Sequence, residues 1–73
     1  MIVNDTEFLV NFTGKIKTLF NKSNISYDTD LSKTLNHREL FYLYNFILEK
    51  YSIDIDFMDY KTPQQIASLI TNG

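Results

Sequence analysis

The clearest structural signal in the chain is the stretch NHRELFYLYNFILEKY, residues 36–51. Asn36 stands three residues before Glu39, which is the spacing of a capping box at the start of a helix. Apolar residues then recur every three or four positions, as one face of an amphipathic helix requires: Leu40, Leu43, Tyr44, Ile47 and Tyr51. The stretch therefore predicts a long helix that begins just after Asn36 and buries one face.

The same helix carries more apolar surface than one buried face needs. Phe41, Tyr42, Phe46 and Leu48 lie partly or wholly off the predicted buried face. Small helical domains often pack such residues against loops, whereas an exposed group of them is typical of a surface that binds a protein. Both interpretations stay open from the sequence.

A second amphipathic helix is predicted over residues 6–20, with Asn4 or Asp5 as its cap. Its apolar positions again have helical spacing: Phe8, Leu9, Phe12, Ile16, Leu19 and Phe20. A third, shorter helix is expected to begin within Thr62-Pro63-Gln64-Gln65, because threonine suits the cap, proline the first helical position and glutamine the third position after the cap. Its inner face consists of Ile66, Leu69 and Ile70, and we expect it to end at Asn72-Gly73.

Irregular segments join these helices. Residues 21–30 are rich in Asn, Ser and Asp, which favour turns, so we expect a long first loop held down by Ile25, Tyr27 and Leu31. Residues 52–57 alternate apolar and acidic positions, but a strand without a partner would leave its backbone unpaired, so we expect an extended connector and then a short turn. The sequence thus predicts an all-α fold with three main helices, a short one and a long first loop.

Size and composition narrow the classes of function. With 73 residues the chain has room for one domain, residues 1–73, and without cysteine it has neither disulfides nor thiolate metal ligands. A net charge of −2 with dispersed basic residues argues against nucleic-acid binding. No run approaches the length of a membrane span and no export signal is evident, so we expect a cytoplasmic protein that binds no membrane.

Four segments together resemble the acyl carrier protein family. They are residues 28–31 (DTDL), 35–40 (LNHREL), 49–55 (EKYSIDI) and 61–67 (KTPQQIA). The resemblance covers nearly the whole chain and implies a small four-helix bundle. It also places His37 where the family has the serine that carries phosphopantetheine, and the segment before His37 is shorter than usual and lacks the customary glycine.

The missing serine changes what the resemblance implies. Without a phosphopantetheine arm there is no thiol and no thioester chemistry, so we expect no cofactor and no carrier activity in the usual sense. The alternative is a genuine acyl or peptidyl carrier whose arm is displaced to Ser32 or Thr34. In lacking the phosphopantetheine serine, the chain resembles the acyl carrier-related proteins of bacterial peptide maturation systems.

The resemblance therefore implies an interaction module, an accessory protein that docks a biosynthetic or peptide-modifying enzyme or its precursor peptide. Family members are recognised mainly through the helix that begins at His37, and we expect the isolated protein to be a monomer. The expected partner-binding residues are His37, Arg38, Phe41, Tyr42, Asn45 and Leu48. A plain helical domain with its binding surface elsewhere remains the third interpretation.

Catalysis and metal binding have little support in the sequence. His37 is the only histidine and has no acidic partner placed by its spacing, so a capping or surface role is favoured. The aspartates at 28 and 30 and at 54, 56 and 59 lack the glycine and terminal glutamate of a calcium loop. We expect no enzyme and no metal site.

Overall fold

The computed structural model describes residues 5–72, and for Asp5 its backbone alone. Within that range the chain forms four helices: α1 Asp5–Phe20, α2 Leu31–Thr34, α3 His37–Tyr51 and α4 Pro63–Asn72. No strand occurs in the described residues, so the predicted all-α class is confirmed. The expected capping side chains of Asn4 and Asp5, and Gly73 after the last helix, lie outside the described part of the chain.

The core is apolar and draws on every helix. Its fully or almost fully buried side chains are Phe12, Ile16, Ile25, Leu31, Leu35, Leu43, Ile47, Ile55, Ile66 and Ala67. α1 and α4 pack against each other, and α3 contributes Leu43 and Ile47 from the stripe that its sequence predicted. Helices this short are only marginally stable in water by themselves, so most of their stability comes from burying these apolar stripes.

The first loop is held down as predicted at two of three positions. Ile25 and Leu31 are buried, but the ring of Tyr27 is 44% exposed, so its predicted anchoring role is wrong for the side chain. Its backbone does the holding: the N–H of Gln64 donates to the Tyr27 carbonyl at 3.0 Å. A second such bond, 2.7 Å from the Leu31 N–H to the Lys61 carbonyl, attaches the end of the loop to the segment before α4.

The predicted short helix, whose position the sequence left open, lies at Leu31–Thr34, directly after the first loop. The Asp30 side chain caps it by accepting a hydrogen bond from the Ser32 N–H at 3.0 Å. Leu31 is fully buried, so the turn is fixed by packing as well as by its cap. Only Leu35 and Asn36 separate α2 from α3, so the two helices together set the position of His37.

The predicted connector between α3 and α4 contains neither helix nor strand. Ser52 ends α3 in the left-handed conformation with φ 58°. Ile55 is buried while Asp54 and Asp56 are exposed, so the alternating sequence produces alternating burial without a strand. A turn closed by the Tyr60 N–H on the Asp56 carbonyl, at 2.9 Å, then leads into α4.

Candidate docking surface on α3

The start of α3 is fixed by the predicted capping box. The Glu39 N–H donates to Oδ1 of Asn36 at 2.8 Å, and the Asn36 N–H donates to Oε1 of Glu39 at 3.0 Å. The same glutamate receives Lys22 from the first loop in an ion pair of 3.7 Å. His37, the first residue of α3, is exposed at the surface.

The two sides of α3 differ sharply in exposure. Leu43 and Ile47 are fully buried, whereas Phe41 is 67% and Tyr42 58% exposed. The open choice between loop packing and a free surface is thereby decided for these two rings, which stand in solvent. The side chain of Leu48 is less exposed, at 37%.

Phe46 lies between the buried and the exposed side of α3. Its ring is half-buried and meets Tyr51 edge-on at 6.4 Å between centroids. Lys50 lies over the ring, with Nζ 5.6 Å from its centroid. The cation and the second ring hold Phe46 in place at the border between core and surface.

A shallow groove of about 480 Å³ runs along the exposed side of α3. We call its six lining residues the α3 face: Arg38, Phe41, Tyr42, Asn45, Phe46 and Glu49. Four of the six residues expected to bind a partner lie in it, namely Arg38, Phe41, Tyr42 and Asn45. The structure brings neither His37 nor Leu48 into the groove, although both are exposed.

Phe46 and Glu49 line the groove but were not among the expected partner residues. Phe46 had been noted as an apolar residue off the buried stripe, and Glu49 only as part of a segment that resembles the carrier family. Glu49 lies four positions after Asn45 and eleven after Arg38, which places all three on one side of a helix. Helical spacing was therefore the signal that identifies both.

A smaller hollow of about 200 Å³ adjoins the α3 face on the side of α1. It is lined by Leu19, Phe20, Arg38, Glu39 and Tyr42. Tyr42 separates it from the groove, and its ring meets Phe20 edge-on at 6.0 Å with an interplanar angle of 78°. The exposed ring of Tyr42 is thus positioned by α1 before any partner arrives.

Asn45 is also held in place within α3. Its Nδ2 donates to the carbonyl of Phe41, one turn earlier, at 3.0 Å. This bond orients the amide along the helix and keeps its Oδ1 available to a donor from outside. The α3 face is consequently a largely ordered surface with a polar centre between its rings.

Ser32, the first alternative site for a prosthetic arm, is engaged elsewhere. Its Oγ donates to Oδ1 of Asp30 at 2.5 Å, and its N–H donates to the same oxygen. The hydroxyl bond is the main cause that lowers the pKa of Asp30 below its ordinary value, and Lys33 and Lys61 lower it further. Ser32 and Thr34 are both half-buried.

The remaining polar features near α3 stabilise the fold. The Tyr44 hydroxyl donates to Oδ1 of Asp54 at 2.5 Å and ties α3 to the connector, and this bond raises the pKa of Tyr44. Burial raises the pKa of Tyr51. Within residues 5–72 no three side chains of the His, Cys, Asp or Glu type converge as metal ligands would.

In the described range no helix has the length and apolar character that crossing a membrane requires. The chain was also compared with family models, with curated proteins and with solved structures. None of the three comparisons found a match. Function is therefore inferred from the geometry of α3 and its neighbours.

Proposed function

We propose that this chain is a non-carrying, acyl carrier protein-like interaction module. It docks a protein partner through the α3 face and carries no phosphopantetheine. The partner is a biosynthetic or peptide-modifying enzyme, or the precursor peptide on which such an enzyme acts. In this role the chain is an accessory protein and not an enzyme.

The observation that carries the proposal is the exposure of Phe41 and Tyr42 beside a groove on the helix opposite its buried stripe. Exposed aromatic side chains lose contact with water when a protein covers them, and aromatic residues are enriched among the residues that dominate binding energy. Arg38 adds a charged anchor at one end of the groove. The face has the composition of a small protein-binding site.

The start of α3 supports the absence of an arm. The resemblance puts the family's serine at His37, which has no hydroxyl, and the capping box uses the side chain of Asn36 for the helix itself. A displaced carrier would have to use Ser32 or Thr34. A phosphodiester on Ser32 would displace the hydrogen bond to Asp30 and bring two negative charges together.

Photo-cross-linking tests the docking role. The photoreactive residue p-benzoylphenylalanine replaces Phe41 in one variant and Met58 in a control, because Met58 is 73% exposed and lies in the turn before α4. Both variants are illuminated in a lysate of the organism that encodes the chain. We expect position 41 to give one abundant adduct that position 58 does not give.

The captured protein is then purified and its affinity for the chain is measured by calorimetry. We expect Phe41→Ala to weaken the complex by roughly tenfold or more, as truncation of a central aromatic anchor does, while Met58→Ala leaves the affinity unchanged. Equal labelling from positions 41 and 58, or a complex that does not respond to Phe41→Ala, would rule out the α3 face as the docking site.

A further inference from the structure

The charges on the α3 face stand at its two ends and have opposite signs. Arg38 and Glu49 are eleven residues apart, which is about 16 Å along a helix, so they cannot pair within one chain. The ion pair found among residues 5–72 joins Lys22 and Glu39, and neither Arg38 nor Glu49 takes part in one there. Each end of the groove thus presents a charge to whatever covers it.

The six positions of the α3 face have the same spacing when read from either end. From 38 through 41, 42, 45 and 46 to 49, the steps are three, one, three, one and three residues. When a second α3 lies antiparallel on the first, position 38 therefore meets position 49, position 41 meets 46, and position 42 meets 45. A surface that maps onto itself in this way suits a two-fold symmetric contact.

We propose that the α3 face is also where two copies of this chain associate, antiparallel and about a two-fold axis. Arg38 of each copy then pairs with Glu49 of the other, Phe41 stacks near the partner's Phe46, and the Tyr42 hydroxyl reaches the partner's Asn45. Each contact occurs twice. Because the net charge is only −2, overall repulsion between copies is small.

This association is weak and reversible. One face of a single helix buries on the order of 1,000 Å² in total, which is at the low end for specific protein interfaces. The dimer covers the surface proposed to bind the partner, so the partner and the second copy compete. The monomer is the docking form, and self-association limits its concentration as the protein accumulates.

Charge reversal tests the geometry of the contact. Sedimentation velocity measures the dimerisation of each variant from about 10 µM to about 1 mM protein, at low salt, where surface charges are least screened. Arg38→Glu places two glutamates opposite each other at both ends of the interface, and Glu49→Arg does the same with two arginines. We expect each single variant to weaken the dimer by roughly tenfold or more. The double variant restores both pairs and is expected to dimerise like the original chain.

Mixing the two single variants gives the sharpest result. In a mixed dimer the glutamate introduced at position 38 of one copy faces the arginine introduced at position 49 of the other. At the opposite end the original Glu49 of the first copy faces the original Arg38 of the second, so both ends are complementary. We expect the mixture to associate about as tightly as the original chain, although each variant alone associates roughly tenfold more weakly or worse. A contact in which position 38 of one copy faces position 49 of the other predicts this recovery.

Controls match the changes in net charge at exposed positions away from the α3 face. Lys15→Glu changes the charge as Arg38→Glu does, and Asp59→Arg matches Glu49→Arg; we expect both controls to dimerise normally. The test variants should fold, because glutamate in the first turn and arginine in the last turn of α3 favour the helix dipole. Circular dichroism verifies this.

A chain that stays monomeric at about 1 mM, or a dimer that responds equally to the controls, would overturn the proposal. So would a mixture of the single variants that remains monomeric. The proposed docking of another protein is measured separately, by a cross-link from position 41 to a different protein; an adduct of twice the chain's own mass is a second copy and counts only for the association proposed here. The two proposals therefore fail independently.

Discussion

Replacing Phe41 and Leu43 in turn by alanine measures how different the two sides of α3 are. The two residues are two positions apart on one helix, yet Phe41 is 67% exposed and Leu43 is fully buried. If the aromatic ring belongs to a docking surface, its removal leaves the fold nearly intact. If it belongs to the core, both substitutions are costly.

The expected costs follow from the exposure. About one third of a phenylalanine side chain of about 200 Å² is shielded, which at about 25 cal/mol per Å² is at most about 1.6 kcal/mol. Alanine keeps some of this contact and has a helix propensity better by about 0.5 kcal/mol, so we expect a net loss of about 1 kcal/mol. Leu43→Ala leaves a cavity in the core and is expected to cost about 3 kcal/mol.

Urea unfolding followed by circular dichroism separates these values. With a slope of about 1 kcal/mol per molar urea, typical of a small domain, the midpoint moves by about 1 M for Phe41→Ala and about 3 M for Leu43→Ala. A Leu43→Ala variant that is already unfolded in water counts as the larger loss. A loss for Phe41→Ala as large as that for Leu43→Ala would refute the assignment of the ring to a free surface.

Three further substitutions test the structure around this face. Asn36→Ala removes the cap of α3 and is expected to cost about 1 kcal/mol in urea unfolding, and a variant as stable as the original chain would contradict the capping box. The hydroxyl of Thr13 is buried and has no hydrogen-bond partner among the described residues, and Thr13→Val replaces it with a methyl group of similar shape. We therefore expect unchanged or higher thermal stability. A lower melting temperature would show that the hydroxyl forms a hydrogen bond. Ser32→Ala removes the main cause of the lowered pKa of Asp30, and NMR titration of the carboxyl carbon should show that pKa rising towards its ordinary value; a pKa that stays low would locate the cause elsewhere. A lowered pKa of Asp30 stabilises the folded state at pH values above the ordinary pKa, and this stabilisation is lost as the pH falls through the pKa of the folded state. The original chain should therefore be more stable than Ser32→Ala at neutral pH, and this difference should shrink on acidification.

The parts of the fold that the sequence predicted depend on local interactions. Asn36 and Glu39 satisfy each other's backbone groups within one turn, so the start of α3 is readable from their spacing. The buried positions Leu43 and Ile47 follow the helical period. The connector was predicted on a different ground, because the sequence offers residues 52–57 no other strand to pair with.

The parts that the sequence did not place correctly depend on contacts between distant segments. α2 is a single turn, and its buried Leu31 is tied by its N–H to the carbonyl of Lys61, thirty residues away. Tyr27 was expected to anchor the loop through its ring, but its carbonyl bonds to Gln64 and leaves the ring outside. Neither long-range bond has a signature in the sequence near it.

For the candidate site, the family resemblance and the apolar residues off the buried stripe together identified most of the face but not its limits. The groove does not include His37 or Leu48, although both side chains are exposed. Whether an off-stripe ring lies against a loop or in solvent depends on how α1 passes α3. The Phe20–Tyr42 contact is one feature of that packing, and the spacing of residues within α3 cannot predict it.

The central proposal is that this chain is acyl carrier protein-like but carries no phosphopantetheine, and its intact mass tests this most directly. The protein is incubated with a broad-specificity phosphopantetheinyl transferase and coenzyme A, beside a serine-bearing acyl carrier protein as positive control. We predict an unchanged mass for this chain while the control gains one phosphopantetheine. A gain of one phosphopantetheine on this chain, lost in a Ser32→Ala or Thr34→Val variant, would contradict the account and make the protein a working carrier.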